Sequence, residues 1–472
     1  MGLFKDKRQS TFAKAMVDEE SKKLRSEVTN RPEGARRSQI PQSGNKSKSL
    51  KGKRRNWMKR WYQFSRKPRR GGIFVARIKI DMITFEEAFK IVMKSVFETK
   101  TETIPFTDSC GRILNEDIIS DIDMPPFNRS AVDGYACHRI DVDNELEVIE
   151  IIPAGKKPLQ IVGKNQCSKI MTGAIVPDGC DVVFMVEESG NLHNSKIRFT
   201  GTDLKLNISV KGEDVRTGDV VIKKGKLIQP QDIAILASVG HTKVNVKKKP
   251  IVGIISTGDE LIDPSDIPAI SQIRNSNAYQ LNAQVTRAGG TGIEYGIAPD
   301  NENITYEMIR KAIHECDIVI VTGGVSMGDF DFVPGVLKHA GVKILFDRVN
   351  VQPGKPTTFG VHSKAIVFGL PGNPVSSFIQ FEMLVRPLIN RMMGYIWISR
   401  ERKLPLAKNY ERKSADRLGL IPVYINKDME VVPVDFHGSA HITALSYTDG
   451  VITMKPGIKS LIKGEIVNVR QI

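Results

Sequence analysis

Hydrophobic and polar positions follow four successive rhythms along the chain. Over residues 1–81 no period holds, and Arg, Lys, Ser and Gln crowd out apolar side chains. Such a stretch cannot bury enough apolar surface to offset its ordering entropy. Order is predicted to begin at Met82. Thr84 and Glu87 have capping-box spacing, the hydroxyl reaching one helix amide and the carboxylate reaching back. Phe85, Ala88, Phe89, Val92 and Val96 then share one helical face. From about 104 to 250, short β-branched runs such as Asp181 to Val186 and Val220 to Ile222 are punctuated by Gly, Pro and Asp. That predicts mostly β structure, with one helix around Gln231 to Val239.

After residue 250 the rhythm becomes an alternation of strands and helices. Strands are predicted at Ile251 to Ser256, Ile293 to Ala298, Asp317 to Val321, Lys343 to Val351 and Ala365 to Leu370. Helices are predicted at Ala278 to Ala288, Tyr306 to His314, Val333 to His339 and Val375 to Met393. This is the pattern of a doubly wound α/β domain. The last 75 or so residues return to short strands and turns, as in a small β-barrel or sandwich.

Charge changes the picture less than the total of +16 suggests. Residues 1–81 hold 24 Lys and Arg against 7 Asp and Glu, leaving 45 basic and 46 acidic residues for the rest. The body is therefore close to neutral, and the overall charge does not argue for nucleic acid. Trp57, Trp61, Tyr62 and Phe64 interleave with the basic run from Lys51 to Arg70, as an RNA- or membrane-surface-binding arm would. A solvated disordered tail is the preferred reading, and a natural start at Met82 is a third. No stretch reaches the ~18 apolar residues of a membrane span, and the N-terminus, charged throughout and without an apolar h-region, does not read as a secretory signal. Five cysteines without a CxxC fit reduced thiols in a cytosol rather than disulfides or zinc.

In a doubly wound sheet, ligands bind outside the carboxyl ends of the strands. The unusual sequence sits there. Thr257, Gly258, Asp259 and Glu260 follow the first strand, and Asp300 follows the second. The third leads into Thr322, Gly323, Gly324, Val325, Ser326, Met327, Gly328, Asp329, Phe330 and Asp331. Pro371, Gly372, Asn373, Pro374, Val375 and Ser376 follow the last. Glycine lets successive backbone N–H groups approach an anion, and a helix start after each loop favours phosphate. Glu260, Asp300, Asp329 and Asp331 beside such a cradle would repel phosphate unless a divalent cation mediates. Mg²⁺ takes one or two carboxylates plus phosphate oxygens. Turn and cap roles remain the default for any one of these residues.

Two further segments stand out. Arg348, Gln352, Pro353, Gly354, Lys355 and Pro356 form a basic loop in which flanking prolines restrain Lys355. A fixed ammonium suits a small tetrahedral dianion; a rigid surface turn is the equal alternative. In the β-rich region, Pro125 to Tyr135 is odd, although Asp133–Gly134 is an ordinary turn signal.

The combination resembles the MoeA family, whose animal and plant relatives include the gephyrin E domain. The matching segments are PPFNRSAVDGYA (125–136), MTGAIVPDGCDVVFMVEE (171–188), GEDVRTGD (212–219), STGDEL (256–261), TGGVSMGDFD (322–331), PGKP (353–356) and LPGNPVSS (370–377). They keep family order across residues 82–472. The resemblance implies a linker domain (82–120 and 219–249), a β-rich domain (121–218), a molybdopterin-binding α/β domain (250–395) and a C-terminal β-barrel (396–472). It also implies a homodimer with the active site between subunits. By the same analogy Asp133, Thr172 and Asp214 match functional positions of the β-rich domain, and Glu260, Asp300 and Asp331 match acidic, Mg²⁺-holding ones. Arg348 and Lys355 match basic positions. Thr322, Gly323, Gly324, Ser326, Gly328, Pro356 and Ser376 line the substrate, and Arg417 and Thr443 lie near the oxyanion. Gln352 and Ser209 depart from the pattern, standing where many or some members carry lysine and arginine.

What the resemblance implies is a cytoplasmic transferase inserting molybdate into adenylylated molybdopterin with release of AMP. Three alternatives stay open: the adenylyltransferase of the preceding step, which would need neither the β-rich domain nor the C-terminal barrel; a receptor-clustering scaffold, which would not need the charged positions; and a nucleic-acid-binding protein acting through the tail.

Overall fold

The computed structural model describes residues 82–193, 195–325, 332–395, 398–435 and 441–472. The expectations for the basic tail and for Ser326, Gly328, Asp329 and Asp331 lie outside the described residues. Helix α1 (Phe85–Lys94) starts at the expected box, where Thr84 and Glu87 cap each other reciprocally. Its Ala88 and Val92 are buried against the core of the α/β sheet. Strand β1 (Thr101–Pro105) follows.

The chain then builds a six-stranded sheet from β2 (Gly134–Cys137), β3 (Leu146–Ile152), β4 (Gln166–Ile170), β5 (Val182–Met185), β6 (Ser189–Asn191) and β7 (Lys196–Phe199), in spatial order β5-β2-β4-β3-β7-β6. Tyr135, Cys137 and Phe184 pack into one small core and Ala136, Ile170 and Val183 into another. Burial on both faces explains why β2 and β5 read as continuous apolar runs rather than an alternation. Helix α2 (Pro230–Ser238) and strand β8 (Lys243–Lys247) come next, and β8 pairs antiparallel with β1. Leu114, Ile118, Ile222, Leu236 and Val244 share one core. That core draws on chain from both sides of the six-stranded sheet, which is therefore an excursion from it.

From residue 251 the expected alternation appears: β9 (Ile251–Thr257), α3 (Ser276–Arg287), β10 (Thr291–Ala298), α4 (Glu302–Glu315), β11 (Ile318–Thr322), α5 (Val333–His339), β12 (Lys343–Phe346), β13 (Thr358–Val361), β14 (Ile366–Leu370), α6 (Pro374–Gln380) and α7 (Arg386–Met392). The spatial order is β10-β9-β11-β14-β13-β12. β10, β9, β11 and β14 run parallel, while β13 is antiparallel to both neighbours. Helices cover both faces over two cores, one around Ile254, Ile320 and Phe368 and one around Ile255, Val321 and Val367.

Three details differ from the periodicity. The apolar run from Lys343 to Val351 breaks at Phe346, and Val351–Gln352 instead pairs with Leu418 and Gly419. β13 was invisible as a strand because it is four residues long and contains Gly360, where a Cβ would meet the Lys343 carbonyl at 3.0 Å. The long final helix is interrupted by a π turn at Phe381–Val385.

The C-terminal strands β15 (Glu401–Pro405), β16 (Leu418–Ile425), β17 (Val431–Pro433), β18 (Gly450–Met454) and β19 (Ile466–Gln471) pair as β15-β19-β18-β16-β17. A bridge between Leu406 and Val431 joins the two ends, closing a small barrel around Ile421, Val423, Ile452 and Val469. Among the described residues no helix is long and apolar enough to cross a membrane.

Candidate active site at the strand ends

Because β9, β11 and β14 are parallel neighbours, their carboxyl ends meet on one edge of the sheet. The Gly323 amide donates to the Leu370 carbonyl at 3.2 Å. The Thr257 hydroxyl donates to the Thr322 carbonyl at 3.4 Å, and the Thr322 hydroxyl to the Pro371 carbonyl at 3.2 Å. Asn277, near the start of α3, ties the loops together: its Nδ2 donates to the Thr322 hydroxyl at 3.0 Å and to the Gly372 carbonyl at 2.7 Å. Gly323 and Gly324 have φ of +97° and +60°. A Cβ at 323 would stand 2.6 Å from the Thr257 carbonyl oxygen, and one at 324 would stand 2.8 Å from Val333 Cγ2. Both conformation and close approach demand glycine there. Asn277 did not emerge from periodicity. Its signal was a second asparagine just after Asn275, the helix cap, beside a strand end.

Two acids rim this floor. Glu260 is exposed, with its carboxylate lying over Gly258, where a Cβ would come within 2.7 Å of the Glu260 Cδ. Asp300 follows β10, is also exposed, and donates its amide to Asp259 Oδ1 at 3.0 Å. Among the described residues neither side-chain carboxylate accepts a hydrogen bond, and no group of three His, Cys, Asp or Glu side chains gathers as a metal site. The sheet thus brings Glu260 and Asp300 to one edge with unused acceptor capacity.

The basic loop lies at the same edge, since Thr358 at the start of β13 pairs with Gly369 near the end of β14. Lys355 is exposed, but its backbone is fixed: the Val349 and Thr357 amides both donate to its carbonyl at 3.0 Å. Pro356 is half-buried beside it. Arg348 is half-buried, its Nε 4.0 Å from Asp347 Oδ1. Ser376 is buried in the first turn of α6. From the barrel, Arg417 Nη1 donates to the Val351 carbonyl at 3.2 Å. Thr443 sits on the short helical turn Ile442–Tyr447, which packs on α6. It also lines an 820 Å³ cavity with Tyr424, Asp435 and Tyr447, a space that neither Lys355 nor Ser376 borders. Gln352 is half-buried in its pairing with Gly419.

The β-rich residues form a separate cluster. Asp133 Oδ1 accepts from both the Thr172 hydroxyl and the Thr172 amide at 2.6 Å, and these two bonds hold its carboxyl below the usual range. Asp214 is exposed, and its amide donates to the Met124 carbonyl at 3.0 Å. Gly212 donates to Pro125, Gly173 to Ser130, and Lys211 to Asn128. Three segments distant in sequence therefore meet in one loop cluster. Among the described residues its hydrogen bonds do not reach the α/β rim. A single chain gathers Glu260, Asp300, Thr322, Gly323, Gly324, Lys355 and Ser376, but leaves Asp133, Thr172 and Asp214 apart.

A glycine floor, two acids whose carboxylates accept no hydrogen bond among the described residues, and a restrained lysine gather at parallel strand ends, the place where doubly wound α/β proteins take their ligands. Comparison with known proteins makes that class specific. Residues 83–240 match the MoeA N-terminal region (domain I and II), 253–391 the probable molybdopterin binding domain, and 403–472 the MoeA C-terminal region (domain IV). A molybdopterin molybdenumtransferase of Staphylococcus epidermidis is 36% identical over 401 residues, covering 82% of this chain and 95% of the relative. One of Staphylococcus aureus is 32% identical, covering 83% and 96%. The crystal structure of the MoeA molybdopterin biosynthesis protein of Pyrococcus horikoshii matches with a TM-score of 0.72 at 32% identity, covering 83% of this chain and all of that one. The chain belongs to the MoeA family of molybdopterin molybdenumtransferases and is an enzyme of the transferase class.

Proposed function

We propose that the protein acts in molybdenum cofactor biosynthesis, inserting molybdate into adenylylated molybdopterin and releasing AMP. The observation that carries this reading is the meeting on one sheet edge of the Gly323–Gly324 floor, the restrained Lys355 loop, and the exposed Glu260 and Asp300 carboxylates, which accept no hydrogen bond among the described residues. Backbone close to the floor would seat the phosphate that links pterin to AMP, with Thr322 and Asn277 fixing the loops around it. Glu260, Asp300 and Asp331 would hold Mg²⁺, which neutralises phosphate oxygens and lets acid and phosphate share the rim. Lys355 would hold molybdate as a point charge, with Arg348, Ser376 and Arg417 as neighbouring donors, while Thr443 would act from the separate cavity beside Tyr424. The dithiolene thiols would give their protons to a displaced molybdate oxygen, which leaves as water, and attack of a second water on the phosphoanhydride would release AMP and make insertion one-way. Catalysis is then mostly positioning and charge neutralisation.

The reading includes a homodimer in which the Asp133–Thr172–Asp214 cluster of one copy completes the rim of the other. It also divides the chain into linker (82–120 and 219–249), β-rich (121–218), α/β (250–395) and barrel (396–472) domains. A reducing cytoplasm suits the cysteines, which form no disulfide among the described residues. Burial pushes the Cys167 and Cys180 thiols up to about 12, so they stay protonated and unreactive. The test is the reaction of purified protein. Molybdate-dependent AMP release from the adenylylated pterin supports the reading, whereas ATP consumption with the pterin alone identifies the preceding adenylyltransferase instead.

A further inference from the structure

We propose that Gln380 is a positioning residue that clamps the Lys355 loop and fixes it in register with Ser376. The functional weight of this clamp rests on the reading of Lys355 given above, but its geometry does not. Gln380 ends α6 and is fully buried. Its Nε2 donates to the Pro353 carbonyl at 3.2 Å, holding the peptide two residues before Lys355. Its Cγ and Cδ fill the space over Gly354: a Cβ there would stand 2.7 Å from either atom, and φ is already +104°. The Thr357 hydroxyl closes the turn by donating to the Gly354 carbonyl at 2.7 Å. The backbone around Lys355 is thus held from below by one side chain and from the flanks by its own amides, with only the ammonium arm left in solvent.

The helix that carries the clamp is itself pinned. Ser376 and Gln380 are four residues apart and so lie on one face of α6. Immediately beyond comes the π turn, where buried Glu382 accepts from Gln284 at 2.7 Å, Arg287 at 2.6 Å and Arg386 at 2.8 Å. These charge-assisted bonds tie the π turn to α3 and α7, and the same Gln284 Nε2 donates to the Phe378 carbonyl of α6 at 3.2 Å, which fixes the end of the helix that carries Gln380. Packing alone does not account for an amide at 380. Among the described residues its buried Oε1 has no hydrogen-bond partner, a costly arrangement that methionine, of similar shape, would avoid. The donor is what the position supplies.

The test is Gln380→Met in the full-length chain, with Gln380→Glu as a second variant that keeps the shape and loses the donor at neutral pH. Amide hydrogen exchange at Val349 and Thr357 is expected to rise about tenfold in both, with exchange in β11 and β14 unchanged. Molybdate affinity, read by calorimetric titration, should fall about tenfold while adenylylated pterin affinity stays at the wild-type value. Unchanged exchange in both variants overturns the clamp. Equal losses of both affinities with a lowered melting temperature also overturn it, leaving a general packing role. Faster exchange in a protein whose wild type binds no molybdate upholds the clamp and overturns the assignment of Lys355 to the oxyanion.

Discussion

The α/β rim and the β-rich loop cluster place carboxylates in opposite circumstances. At the rim, Glu260 and Asp300 are exposed and, among the described residues, no hydrogen bond reaches either side chain, over a floor held by Asn277, Thr322 and two left-handed glycines. In the cluster, Asp133 Oδ1 accepts from both the hydroxyl and the amide of Thr172, which lowers its pKa and fixes the loop. The first arrangement keeps negative charge available for a ligand. The second uses charge to hold shape. The difference teaches that an acid can serve a site in two ways, by staying open to a ligand or by fixing the loop that is to face it.

The sharpest separation should come from Glu260→Ala and Asp331→Ala. Each is expected to lower molybdate-dependent AMP release by about 10³-fold or more, with thermal stability within ~0.5 kcal/mol of wild type. Unchanged turnover in both would refute the metal-holding role. Next is Gly323→Ala, whose Cβ collides with the Thr257 carbonyl. About 10²-fold less activity and a loss of roughly 1–3 kcal/mol of stability are expected, measured by turnover and denaturant unfolding. Asp133→Ala and Lys355→Ala subunits, each inactive alone, should regain about a quarter of wild-type activity when reassembled at equal amounts, because half the dimers then carry one intact shared site. Failure to complement would place the cluster outside the site.

Smaller effects probe the cluster's structural bond. Thr172→Val should raise the Asp133 titration midpoint, followed by carboxyl NMR, since both hydrogen-bond donation and loop order suffer. Because the folded-state pKa is depressed, the stability this carboxylate contributes is present above its unfolded value and is lost as pH falls through the folded value. The variant should therefore be less sensitive to acid in that window. Removing residues 1–81 should leave turnover unchanged while abolishing any RNA retention on a filter.

Much of the architecture was legible because it rests on local rules. The capping box at Thr84, the strand–helix alternation after 250 and the glycine-rich strand ends each obey a periodicity or a backbone requirement carried by neighbouring residues. β13 was missed because its strand character comes from pairing between β14 and β12 rather than from its own pattern. Asn277 and Gln380 were missed for a related reason. Each acts on a loop far away in sequence, and an amide inside a helix gives no local sign of its partner.

The order of residues by itself determined which elements form and which loops must contain glycine, since torsion, periodicity and the start of a helix are settled within a few positions. Only the tertiary structure decided that β9, β11 and β14 lie side by side, that Gln380 reaches Pro353, and that Asp133 turns to Thr172 instead of the rim. Those are contacts between segments tens of residues apart, and a hydrogen bond a few ångströms long forms only after packing has chosen which surfaces meet.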